Sequence, residues 1–481
     1  MPSVIGFRFG PYRLDLRGRS LFCSEQPVAI RPRQFDVLHV LVRRAGEVVT
    51  KDDLIREAWN GVIVDDNSLT QAVSRLRHLP GAPHFETYID TVQGHGYRFD
   101  EAVTVETETP NRANLLALFA ADRTWGQGLA ALESFDPELL ASARVLLRKL
   151  VADNPREVRF RIVLGLVCAL IFDSTRTDAQ PNQEALREAA AEAYEAFNLH
   201  PDLAECSATL GFVLRRTGDS DNALIALRRA ARLEPTNYLH HGRLADASWG
   251  EERLRAVRDT LRLNPGFAIA FFFGACVWTA REAFSDAWRE AEAGTAAMDA
   301  EAGTPVPFRA VGLYLLKGLL LFARGAVADA HVALDREIAL SSRRHLYGRE
   351  ICASAWYVKA ACYLYVGDKE SAREAAVEAM VLVPAHAQAM AVLAILDGPD
   401  SDTARRVATD SRAAFEVVMA RAALLAHAGD VPTAVATVHA ALKAAPPGNT
   451  GWRLPADPLL RVWEHRDAWA PVLATVNARA R

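Results

Sequence analysis

Over the first hundred residues the apolar positions come in short alternating runs, whereas beyond about Asn114 they recur at helical spacing almost without a break. Phe7–Phe9, Tyr12–Leu16, Ser20–Cys23 and Val28–Ile30 are extended runs separated by Gly-Pro, Arg-Gly-Arg and Glu-Gln-Pro, which predicts a small antiparallel sheet. Pro32–Arg44 sets Phe35, Leu38 and Val42 at helical spacing, and Gly46 stops the pattern. Thr50, with Asp53 three residues on, predicts a capped start for a second helix, Lys51–Ala58. After a loop, Trp59–Asp66, a third helix is predicted over Ser68–Leu79. In it Leu69, Ala72, Val73, Leu76 and Leu79 share one stripe, while Asn67, Gln71, Ser74 and His78 take the opposite face between Arg75 and Arg77. Tyr88–Val92, the turn Gln93-Gly94-His95-Gly96, and Tyr97–Phe99 read as a hairpin.

A greasy stripe docked on two helices would hold the polar row of the third helix toward solvent. Short donors of that kind can enter a major groove and meet base edges, and the flanking guanidiniums can reach phosphate or guanine. An ordinary amphipathic helix with a solvated face carries the same pattern, so the helix alone leaves both readings open. The hairpin directly after three helices makes the unit a winged helix. The segments RPRQFDVLHVL, GEVVTKDDLIREAW, DNSLTQAVSRLR and YIDTVQGHGYRF, in this order, resemble the winged-helix output domain of response regulators of the OmpR/PhoB class, from Phe7 to Phe99. The resemblance implies double-stranded DNA as a partner, with the third helix in the major groove and the wing on the adjacent minor groove or backbone. By position it assigns groove or phosphate contacts to Asn67, Ser68, Ala72, Ser74, Arg75 and Arg77, a phosphate contact to Lys51, and wing contacts to Thr91, Gln93 and Tyr97. Gln71 joins this set from the polar face. The loop containing Trp59, Asn60, Val62 and Asp65 resembles the polymerase-contacting loop of the class and implies RNA polymerase as a second partner. Gln93 and Ser74 stand where the class often has Arg. With 13 Lys and Arg against 13 Asp and Glu in residues 1–105, they predict modest non-specific affinity and a shallow salt dependence. No receiver domain precedes the module, which opens close to Met1, so regulation independent of a phosphorelay is expected.

Residues 103–113, VTVETETPNRA, offer no periodic apolar face and read as a linker. From 114 to 481 the chain shows internal repeats. Leu210-Gly211, Leu214, Gly218-Asp219, Ala223, Leu227, Ala230 and Pro235 follow the tetratricopeptide (TPR) spacing, as do Trp356, Ala360, Tyr363, Gly367-Asp368, Ala372, Ala379 and Pro384. Weaker copies end at Pro155, Pro201 and Pro446, and Arg255–Pro265 and Gly318–Ser342 are degenerate. Small residues let two helices approach, and each pair leaves an apolar face that only its neighbour covers, so the array must stack. The uneven spacing of Pro201, Pro235 and Pro265 predicts a distorted solenoid, capped by helices over Pro458–Trp463 and Asp467–Ala478. The expected fold is thus an α+β winged helix, 1–102, followed by an all-α TPR-like solenoid.

Composition narrows the function. The chain has 481 residues, a formal net charge of −4 and six cysteines without a CxxC pair, and no apolar run approaches the ~18 residues of a membrane span. These features, with no signal peptide at Met1, predict a cytoplasmic protein without a membrane partner. There is no nucleophile elbow, phosphate loop or HExxH, so no enzyme and no cofactor is expected. His240-His241 reads as a surface pair at a helix start, with no metal site expected. The cluster Phe267, Phe271, Phe272, Phe273 and Trp278 reads as core or, failing that, as a groove for a peptide or small ligand. A winged helix followed by TPR-like repeats resembles the HilA-type one-component bacterial transcriptional regulators. That layout implies a sequence-specific activator whose solenoid binds a protein, peptide or small-ligand effector, or a second copy in a homodimer. The alternative is a TPR scaffold whose winged helix makes protein contacts.

Overall fold

The computed structural model describes residues 4–16, 18–24, 26–58, 66–107, 125–300, 310–341, 345–412 and 414–481. The chain forms two compact units, Met1–Phe119 and Ala120–Arg481.

In the first unit β1 (Val4–Phe9), β2 (Tyr12–Asp15), β3 (Ser20–Cys23) and β4 (Gln26–Val28) form an antiparallel meander. α1 (Pro32–Arg43), β5 (Val48–Thr50), α2 (Lys51–Ala58) and α3 (Asp66–Arg77) follow. The hairpin of β6 (Ile89–Val92) and β7 (Gly96–Phe99) comes next, then β8 (Thr104–Thr107). The predicted cap is present: Thr50 Oγ1 accepts from the Asp53 N–H at 3.1 Å. β5 pairs with β7, so the sheet order is β5-β7-β6. Gly96 is required there, because a Cβ would lie 2.0 Å from the Val49 carbonyl oxygen.

Thr104–Thr107 corrects the linker reading. The segment is β8, antiparallel to β1 with Phe7 opposite Val105, and Arg8 pairs with Glu106 across the two strands. Pairing to an open sheet edge satisfies backbone groups without burying a face, and Val105 stays half exposed. Residues 108–113 lie outside the described residues.

The second unit is an array of helix pairs. Helix α4 (125–134) shares an apolar cluster with α5 (Pro137–Asp153), while α6 (Val158–Thr175) pairs with α7 (Gln183–Leu199) and α8 (Ala204–Thr217) with α9 (Ser220–Leu233). Then come α10 (Tyr238–Ala247) with α11 (Gly250–Leu263), α12 (Ala268–Ala280) with α13 (Phe284–Ala300), and α14 (Leu313–Ala323) with α15 (Val327–Leu340). The series ends with α16 (Gly348–Val366) and α17 (Lys369–Leu382), α18 (Ala387–Asp397) and α19 (Asp402–Thr409), α20 (Phe415–His427) and α21 (Val431–Ala444), and a last helix, α22 (Arg466–Arg479).

The repeated Gly-Asp has a mechanical reason. Gly218 ends α8 at φ 89°, and Asp219 then caps α9 by accepting from the Asn222 N–H at 3.3 Å. Within the pair, a Cβ on Gly211 would sit 2.6 Å from Leu227 Cγ, so only glycine permits the approach. The segments read as degenerate still pair, as α10–α11 and α14–α15. The predicted helix over Pro458–Trp463 does not form. The chain turns there instead, with Asp457 accepting from the Leu459 and Leu460 N–H groups. α22 does cover an end of the stack: Trp469, Val472 and Val476 pack with Met419, Val438 and Leu442.

The array also curls back on itself. Leu346 N–H donates to the Phe135 carbonyl at 2.8 Å, and Arg176 pairs with Glu350. Tyr347 Oη donates to Asp173 Oδ2 at 2.6 Å, and Arg216 binds the same oxygen at 2.5 Å. Burial alone would push the Asp173 carboxyl up. The charge and hydrogen bonds of Arg216 outweigh it and, with Tyr347, hold the group below its ordinary range.

Candidate nucleic-acid interface

α3 is held from beneath. Leu69, Val73, Leu76 and Leu79 are buried against a core that includes Leu38, Leu41 and Leu54. Burying four such side chains contributes on the order of 1.5–3 kcal/mol each, enough to fix which face looks outward. Gln71, Ser74, Arg75 and His78 are exposed on that face. His78 Nδ1 turns back to the Ser74 carbonyl at 2.9 Å, which leaves Gln71, Ser74 and Arg75 as the outward row.

Three residues stand differently from the sequence reading. Ala72 belongs to the buried stripe and does not face outward. Tyr97 is a core residue, because alternation along β7 turns Tyr97 and Phe99 to the same buried side. Arg77 spans from α3 to the wing: Nη2 donates to the Ile89 carbonyl at 2.6 Å and to Thr91 Oγ1 at 2.8 Å, and Nε donates to Ile89 at 3.0 Å. Its guanidinium therefore sets the angle between helix and hairpin. Periodicity placed Arg77 on a flank of the helix but could not show that a strand carbonyl lies within reach.

Lys51 begins α2 and is exposed, Ser68 is half buried, and Thr91 and Gln93 are exposed on the wing. Asn67 lies in the first turn of α3, with its side chain outside the described residues. Trp59, Asn60, Val62 and Asp65 also lie outside them.

The balanced charge of this unit appears as local pairing. Arg44 meets Glu47 at 3.1 Å and Glu57 at 3.5 Å, Arg43 pairs with Glu57, Arg56 with Asp53, and Arg98 with Asp90 at 3.1 Å. Hydrogen bonds from Thr50 and Arg56 hold the Asp53 carboxyl below its ordinary range. Arg75 has no ion pair among the described residues, so its charge is available to an outside anion.

Comparison with known proteins places this unit. Residues 25–99 match the family described as transcriptional regulatory protein, C terminal. This transcriptional-regulator domain, of the OmpR/PhoB type, contains α1, α2, α3 and the wing. Over 99 residues the chain is 37% identical to the transcriptional regulator HilA of Salmonella typhimurium, covering 21% of this chain and 18% of HilA. Over 93 residues it is 31% identical to the sensory transduction protein RegX3 of Mycolicibacterium smegmatis, covering 19% of this chain and 41% of RegX3. The chain thus spans less than half the length of either relative. For the helical part, a solved tetratricopeptide repeat protein from Parabacteroides merdae aligns over 55% of this chain and 93% of its own. Identity there is 15% and the TM-score 0.37. Among the described residues no helix is long and apolar enough to cross a membrane.

Proposed function

We propose that the chain is a cytoplasmic, sequence-specific DNA-binding transcription regulator that acts as an activator. The observation that carries this reading is the outward row Gln71, Ser74 and Arg75 on a helix whose other side is locked into the core of a transcriptional-regulator domain. Gln71 suits the N6/N7 edge of adenine and Arg75 the O6/N7 edge of guanine. Lys51 and the wing residues Thr91 and Gln93 set the register on the backbone. The loop carrying Trp59, Asn60, Val62 and Asp65 recruits RNA polymerase. The helical array binds an effector or a second copy of the chain, bringing two domains onto tandem half-sites.

Selection of duplexes from a random library by the full chain, followed by gel shift with Gln71→Ala/Arg75→Ala, tests the proposal. An enriched motif whose preference collapses in the double variant supports it. Absence of any enriched motif at every salt concentration returns the domain to protein contacts.

A further inference from the structure

The helical array brings together ligating side chains that DNA reading does not use. Glu205 lies in the first turn of α8. Glu234 closes α9, and three residues on, Asn237 caps α10, whose first turn carries His240. Stacking of one helix pair on the next sets these positions side by side. One ligating atom from each of Glu205, Glu234 and His240 lies within 4.8 Å of the other two. His240 is 2% exposed, which corrects the surface reading of the His pair. Its neighbour His241 is also buried, with Nε2 2.9 Å from the Pro235 carbonyl.

His240 Nε2 lies 3.1 Å from Glu234 Oε2 and 3.2 Å from Asn237 Nδ2, whereas its Nδ1 is buried with no hydrogen-bond partner among the described residues. Glu205 Oε2 is likewise buried and unpartnered. Leaving a carboxylate oxygen out of water without a partner is costly, and a cation held among the three side chains would satisfy the Glu205 carboxylate. Asn237 donates to Glu234 Oε2 at 3.1 Å and so orients that carboxylate. Arg243, one turn beyond His240, stacks 5.5 Å over the Phe212 ring and makes no ion pair with Glu205. Its charge offsets one of the two carboxylates but leaves both free to ligate.

We propose that Glu205, Glu234 and His240 form a binding site for a first-row divalent cation of the zinc class, clamping α8 to α10. One imidazole and two carboxylates are the ligand set such ions accept, with the fourth position left to water.

The test uses the full chain, stripped with chelator. Zn²⁺ is titrated by calorimetry, and Co²⁺ by its visible absorption. The expected result is one saturable equivalent with the absorption bands of a four-coordinate Co²⁺ site. Glu205→Gln and Glu234→Gln should each weaken uptake about tenfold or more, with unchanged circular dichroism. Glu205 is only half buried, so its variant tests the site even if His240→Gln fails to fold. Two results would overturn the assignment: no saturable uptake by the unaltered chain, or uptake that persists undiminished in Glu205→Gln and Glu234→Gln. The second would place the metal elsewhere, for instance on cysteine thiols.

Discussion

In the regulator domain, charged side chains meet at the surface: Arg43 pairs with Glu57 while about half exposed, and Arg56 pairs with Asp53 under similar hydration. In the helical array, Asp173 and Arg216 meet with side chains only 2% and 6% exposed, and Tyr347 closes the cluster. Both arrangements neutralise charge, but the energetics differ. A hydrated pair adds about 0–1 kcal/mol and can be exchanged for another anion at little cost. A buried pair cannot lose one member without stranding the other in a poor solvent. The first design leaves cations available for phosphate. The second uses them to hold a curled array together across 174 residues of chain.

The largest effect should come from breaking the buried cluster. Asp173→Asn leaves Arg216 without its counter-charge and should lower stability by about 3–5 kcal/mol in urea unfolding. The double variant Asp173→Leu/Arg216→Met should recover most of the loss. If Asp173→Asn were as mild as a surface change, the contrast between the units would fail.

Acid should find the array's interior next. Burial, with the charge of Arg453 adding to it, holds His386 down to about 3, and its Nδ1 accepts from the Ala389 N–H at 3.2 Å. The folded pKa lies below the unfolded value of about 6.5, so folding favours the neutral ring. This contribution is full above that unfolded value and is lost as pH falls toward the folded one. At pH 5 the loss should be about 2 kcal/mol. Comparing urea midpoints at pH 7 and pH 5 checks it, and His386→Asn, which keeps a cap, should flatten the difference.

On the regulator domain, Arg75→Ala should weaken binding to a selected duplex by about 1–3 kcal/mol with no change in unfolding. Arg77→Ala should also destabilise the domain by about 1–2 kcal/mol, because it releases the Ile89 carbonyl and the wing. A variant pair with identical profiles would erase the distinction between a reading residue and a positioning one. Smallest of all, Arg43→Ala should change stability by less than about 1 kcal/mol and lose even that in high salt.

Periodicity made α1, α2, α3 and the paired helices legible, since a buried stripe repeats with the turn of its own helix. It made the Gly-Asp turns legible too, because the left-handed residue and the cap are adjacent in the chain. It also separated the outward Gln71, Ser74 and Arg75 from the stripe beneath them. What lay beyond it were relations between distant segments. Arg77 reaches a strand carbonyl twelve residues away, Thr104–Thr107 becomes a strand only because β1 offers an open edge, and Tyr97 is buried by the helix packed over its hairpin.

The amino-acid order thus determined which residues share a helix face, where helices start and stop, and that two kinds of structure follow one another. Tertiary structure decided which cations are already engaged, which histidines leave water, and that Glu205 meets His240. The physical reason is reach: side-chain periodicity acts within a few residues, whereas charge, desolvation and ligation depend on what packs across the gap.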